Sequence, residues 1–112
     1  MLLPNPDRAE IDPVKLHGYL LSTSHPIGRF KAKFFGALGF SADRWQELEA
    51  ALRAHHLTRD AEFRGTGHHG QRFAIQAILE GPVASALVVS VWLVRTGEDH
   101  PRLVTAYPGG PP

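Results

Sequence analysis
Apolar positions recur at helical spacing over the first half of the chain and alternate over the second, so helices come first and strands follow. Asp12-Pro13 has the form of an N-cap followed by proline at the first helical position, where the fixed φ fits and the missing N–H costs nothing. Ile11 and Leu16 occupy the positions of a hydrophobic staple, and this helix is expected to run to about Leu21. His25-Pro26 opens a second helix in the same way and carries it to Leu38, with Gly39 as its stop. Its apolar stripe is Ile27, Phe30, Phe34 and Leu38. Ser41 stands where a third helix would be capped, with Phe40 and Trp45 as staple and Asp43 in the first turn. Trp45, Leu48 and Leu52 keep the helical period until His55-His56.

Beyond His56 that period is lost. Arg59 to Arg64 reads as a short, weak strand and Gly65 to Gly70 as a loop. Gln71 to Leu79 alternates, with Phe73, Ile75, Ala77 and Leu79 on one face. After a turn at Glu80-Gly81-Pro82, the β-branched stretch Ala86 to Arg95 is the strongest strand, and Arg102 to Tyr107 is the last. Hairpin-length connections make the pairing antiparallel. The expected fold is α+β, with three N-terminal helices packed on one face of a three- to four-stranded antiparallel β-meander. Residues 1–107 are expected to form a single domain, and Pro108-Gly109-Gly110-Pro111-Pro112 a disordered tail.

Composition narrows the classes. A chain of 112 residues with 43% hydrophobic and 21% charged residues is enough for one modest core. No apolar run approaches the ~18 residues of a membrane span, and the N-terminus shows no basic region followed by a long apolar stretch. The expectation is a cytoplasmic protein without a membrane partner. With no cysteine there are no disulfides, thiolate metal sites or cysteine nucleophile. A net charge of +1 says nothing about partners, so nucleic-acid binding would have to rest on local clustering.

The chemistry candidates are basic residues that break the apolar pattern. Arg29 and Lys33 fall opposite the stripe of the second helix, where solvated charge is ordinary. Lys31 falls at its margin, where a lysine must snorkel, find an acid or have a task. In the long strand Leu87, Val89, Val91 and Leu93 share a face that Arg95 continues. If that face meets the helices, Arg95 lies at the core rim, paired to Glu98 or Asp99 or free to meet Lys31 in one cleft. The start of the second helix is a third element. Unpaired N–H groups, an approach kept open by Gly28 and the charge of Arg29 would suit a phosphodiester, and His25 is either a plain cap or a proton carrier.

Other chemistries have little support. His55-His56 and His68-His69 read as solvated loop histidines, since neighbours in an extended chain point apart and no helical His-x-x-x-His completes a metal site. His17 and His100 carry no motif. There is no Walker loop, no G-x-G-x-x-G after a strand and no nucleophile elbow around any serine.

The stretches Leu3 to Ala9, His25 to Lys31, Gly70 to Phe73 and Trp92 to Tyr107 resemble an uncharacterised, toxin-associated bacterial domain family of about this length. Its members stand alone beside another small gene or form the C-terminal tips of larger toxins. More remotely the chain resembles the superfamily of barnase-like, EndoU-like, colicin-like and RelE-like ribonucleases. That resemblance implies RNA cleavage without metal or other cofactor, by attack of a ribose 2′-hydroxyl on its own phosphate to leave a cyclic phosphate. By motif position it points to His25 as general acid or base and to Lys31 and Arg95 as stabilisers of the phosphorane. Arg29, with Gly28 and Thr96, would bind substrate, while Tyr107 or Thr105 would orient it or shuttle a proton. The implied partners are RNA, either tRNA or ribosome-bound mRNA, and a cognate antitoxin or immunity protein that neutralises the domain. The other class the sequence allows is a non-catalytic interaction module, which the near-zero net charge favours.

Overall fold
The computed structural model describes residues 1–110. Its architecture is α+β, with three N-terminal helices followed by a four-stranded antiparallel sheet in the order β1-β2-β3-β4. Helix α1 (Pro13–Lys15) is capped by Asp12, whose carboxylate accepts the Val14 N–H at 2.9 Å. It widens at once into a π-helical turn, Leu16–Leu20, closed by a 2.8 Å bond from Leu21 N–H to the Leu16 carbonyl. Helix α2 is Gly28–Ala37 and α3 is Trp45–His55. Ser41 does not cap α3 through its side chain; a 3₁₀ turn, Ala42–Arg44, intervenes, and the Ser41 carbonyl accepts the Arg44 N–H.

The face that α2 buries differs from the expected stripe. Gly28, Ala32, Phe35 and Leu38 are buried, whereas Ile27 is 62% and Phe30 68% exposed. Two faces of this helix are apolar, and the one that carries Gly28 faces the core, where a Cβ at that position would meet the Tyr19 backbone.

The strands are β1 (Glu62–Gly67), β2 (Gly70–Glu80), β3 (Ser85–Arg95) and β4 (Arg102–Pro108). The stretch expected to be a loop is mostly strand. β1 runs through Gly67, with a register shift between Phe63 and Thr66, and His68-His69 is the hairpin turn into β2. Gly70 has φ 143°, and a Cβ there would lie 2.1 Å from the Val94 carbonyl oxygen, so the hairpin closes against β3 only with glycine. Pro108 still pairs with Val88, and the Gly109 N–H donates to the Leu87 carbonyl, so the chain stays attached past Tyr107. The remainder of the expected tail, 111–112, lies outside the described residues.

The core joins Leu16, Leu20, Phe35, Leu48 and Leu52 from the helices to Ile75, Leu79, Val88, Trp92, Leu103 and Ala106 from the sheet. β3 therefore turns Val88, Ser90 and Trp92 towards the helices, and the Leu87, Val89, Val91, Leu93 face points the other way. This reverses the expected orientation, and Arg95 goes with the outer face.

A polar network explains the choice. His56, Ser90 and Trp92 are all fully buried. Trp92 Nε1 donates to Ser90 Oγ at 2.8 Å, and His56 Nε2 lies 3.2 Å from the Ala77 carbonyl, which can only accept. His56 therefore carries its proton on Nε2, and Ser90 donates to its Nδ1 at 2.7 Å. His56 is thus not a solvated loop histidine; it ties the end of α3 to the middle of β2 and β3.

Burial holds the His56 imidazole neutral, its pKa lowered from 6.5 to about 4. The unfolded chain protonates this histidine as pH falls through 6.5 while the native chain does not until about 4. Acidification over that window is expected to remove up to about 3 kcal/mol of stability through this residue. Denaturant unfolding followed between pH 7 and 4 checks this, with His56→Gln losing most of the pH slope. Ser90→Ala is expected to cost about 2 kcal/mol by stranding two buried ring nitrogens.

Candidate active site
β4 is an edge strand, and the N-terminal segment runs along its free edge. Glu10 bridges Arg102 in parallel, with Glu10 N–H donating to the Pro101 carbonyl and Leu103 N–H to the Glu10 carbonyl. Lys15 Nζ donates to the Val104 carbonyl at 2.9 Å. The π-helical turn that follows brings Tyr19 to the same edge, and α2 brings Lys31. Between them is an open cavity of about 600 Å³ lined by Lys15, Tyr19, His25, Lys31 and Thr105, among others.

Lys31 is the centre of this cleft. Its ammonium donates to Thr105 Oγ1 at 3.0 Å and lies 5.4 Å from the Tyr19 ring centroid and 5.7 Å from that of Tyr107. It has no carboxylate partner among the described residues. Two aromatic faces and one hydroxyl thus hold a cation that remains able to meet an anion.

The Tyr19 phenol titrates below its ordinary value. Partial burial opposes ionisation, but the Thr105 hydroxyl, the Lys31 ammonium and the charge of Lys15 together outweigh it. Sequence reading passed over Tyr19 and Lys15. Tyr19 carries no local signal, since its reach depends on a π turn, a form frequent at functional sites. Lys15 reads as an ordinary basic residue in the last turn of a helix.

His25 caps α2 with its ring. Nδ1 accepts from the Ile27 N–H at 3.1 Å and from the Gly28 N–H at 2.9 Å, and the ring stands edge-on to Tyr19 at 5.0 Å. The expected anion site at this helix start is therefore already filled, by the imidazole. With Nδ1 engaged, the ring proton sits on Nε2, so His25 can donate a hydrogen bond but cannot take a proton without giving up the cap.

The structure brings His25, Lys31 and Thr105 into one cleft with Tyr107 beside them, and separates the other expected residues. Gly28 does not keep an approach open. It is buried, and a Cβ on it would lie 2.0 Å from the Tyr19 carbonyl oxygen, so it is what lets α2 close on the π turn. Arg29 lies over the Phe30 ring at 4.9 Å, on the exposed side of α2. Thr96 lies in the turn after β3, its N–H bonded to the His69 carbonyl. Arg95 is exposed, 4.0 Å from Glu98, and lines a neighbouring groove rather than the Lys31 cleft.

Donor atoms of Glu10, Glu98 and His100 lie within 4.8 Å of one another, a grouping that sequence spacing does not reveal. The cluster is an ion-pair hub. Arg102 bonds Glu98 at 2.7 Å and Glu10 at 3.0 Å, supplying the positive charge there, and His100 Nε2 pairs with Glu10. The Glu10 hydrogen bond raises the His100 pKa, so this contact contributes fully below the ordinary histidine value and fades as pH rises through the raised one.

The chain matches, over residues 2–110, the family described as a domain of unknown function, DUF6883. It belongs to that family. No curated protein and no solved structure matches it. In this DUF6883 domain the cleft depends on the contact between α2 and the π turn. Gly28→Ala is expected to cost on the order of 3 kcal/mol, since the Tyr19 backbone must move. Thermal unfolding checks the loss, and near-ultraviolet circular dichroism should show the changed surroundings of Tyr19.

Proposed function
We propose that this domain binds RNA and cleaves it without a metal, using the cleft at the β4 edge. The observation that carries this reading is the seat of Lys31, a cation held by Thr105 and two tyrosine rings beside the His25 ring. Such a site suits a group whose negative charge grows during reaction, as a phosphorane's does. Tyr19, as phenolate, accepts the proton of the 2′-hydroxyl. The 2′-oxygen bonds to phosphorus, the bond to the 5′-oxygen breaks, and the leaving oxygen takes a proton from the Lys31 ammonium. Lys15 and the Nε2–H of His25 contribute to charge stabilisation, and Thr105 and Tyr107 hold Lys31 in place. Arg95 has no part in this step. RNA substrates, a cytoplasmic setting and a protein that neutralises the activity accompany this reading.

A second reading is a non-catalytic interaction module. The observation favouring it is the outer face of α2, where Ile27 and Phe30 are 62% and 68% exposed beside Arg29.

Incubation of purified protein with mixed cellular RNA in excess EDTA separates the two. Cleavage leaving cyclic phosphate ends is expected from the wild type. Lys31→Ala is expected to lower the rate by about 10²-fold or more, and Tyr19→Phe by roughly 10²- to 10⁴-fold. The wild-type rate should climb about tenfold per pH unit above neutrality and level off below the ordinary phenol pKa, a profile that Tyr19→Phe abolishes. Intact RNA after incubation with folded wild type would reject the nuclease and leave the module.

A further inference from the structure
Next to the Lys31 cleft lies a second groove, a cavity of about 670 Å³ beside the Glu10–Lys15 segment. Its walls carry Lys15, Arg53, Arg72, Arg95 and Arg102 against only Glu10 and Asp12, in a chain whose net charge is just +1. These cations are not equivalent. Arg102 is taken up by Glu98 and Glu10, and Arg53 by Glu49 and the Ala9 carbonyl. Arg72 has no carboxylate within ion-pair distance among the described residues, and Arg95 has only a 4.0 Å approach to Glu98.

The sheet register places Arg72 and Arg95 on one face. Arg72 stands opposite Leu93 and Leu93 opposite Arg102, so the three form a row on the outer face, and Arg95 continues that face two residues beyond Leu93. With strands about 4.8 Å apart, the row spans about 10 Å. Guanidinium groups presented in this way match phosphate oxygens, which they can hold through paired N–H donors. The groove also adjoins the Lys31 cleft, since Asp12, Lys15 and Val104 line both. A small anion would occupy one or the other; a polymer with repeated phosphates would occupy both.

We propose that the Arg72–Arg95 groove is a backbone-binding track for single-stranded RNA, holding phosphates next to the one engaged in the Lys31 cleft. This rests on the RNA reading of that cleft and adds to it the path of the strand and two phosphate-binding residues. Specificity for a base sequence is not expected from this track, because phosphate contacts position a strand without reading it.

The test uses the full chain and a fluorescent 12-nucleotide RNA whose 2′-O-methyl groups prevent cleavage, with affinity measured between 50 and 200 mM salt. Replacing Arg72 and Arg95 together by alanine should weaken binding about tenfold and lower the slope of log affinity against log salt by about 1.4, as for two lost phosphate contacts. Both side chains are exposed, so unchanged thermal unfolding is the control for folding. The double lysine variant, which keeps the charges, should restore most of the slope. A slope equal to that of the wild type in the alanine variant would overturn the track while leaving the Lys31 cleft and its cleavage assay untouched. Failure of the wild type to bind this RNA at any salt would overturn the track and the RNA reading together.

Discussion
The buried chain of bonds from Trp92 through Ser90 and His56 to the Ala77 carbonyl is the constraint on which the rest of the fold turns. It joins the last turn of α3 to the two central strands at a place with no access to water. Each member is satisfied only if all are present, and a half-satisfied buried network costs more than an apolar one. The network thereby selects which face of β3 looks at the helices. That choice sends Leu93 and Arg95 outward, and with them, through the β2–β3 and β3–β4 registers, Arg72 and Arg102.

The cleft has a different origin. It forms because β4 has a free edge and the N-terminal segment lies along it, held by the Glu10–Arg102 bridge and the Lys15 bond to Val104. Immediately after that segment the chain enters a π turn, which rotates Tyr19 towards the edge, and Gly28 lets α2 approach closely enough for Lys31 to reach Thr105. A lysine between two tyrosine rings and a threonine is a cation with limited solvation. The same arrangement favours the Tyr19 phenolate, so the charge and the acidified phenol come from one piece of packing.

Much of the fold was legible along the chain. Asp12-Pro13, His25-Pro26 and the switch from helical to alternating periodicity mark elements that the structure contains, because caps, prolines and hydrophobic period act over a few residues. The hairpin turn at His68-His69 was less legible, since a Gly-rich edge strand with a register shift looks like a loop. Among candidate residues, Lys31 stood out as a misplaced charge and His25 as a titratable group at a helix start, and both line the cleft. Tyr19, Lys15 and Arg72 gave no such signal, because each is ordinary in its local context.

The sequence alone determined the order of helices before strands, the course of β2, β3 and β4 and their antiparallel connection, since these follow from interactions between near neighbours. It did not determine which of two apolar faces of α2 and β3 turns inward. On α2 the expected stripe and the buried one are both hydrophobic, and on β3 both alternate sets are. Periodicity reports that a face is apolar but not what it will meet. Tertiary structure made those choices, through the close contact at Gly28 and the polar demands of His56, Ser90 and Trp92. Because every side chain on a strand changes side together, one decision at Ser90 moved Arg95 from the rim of the helical core to the outer groove.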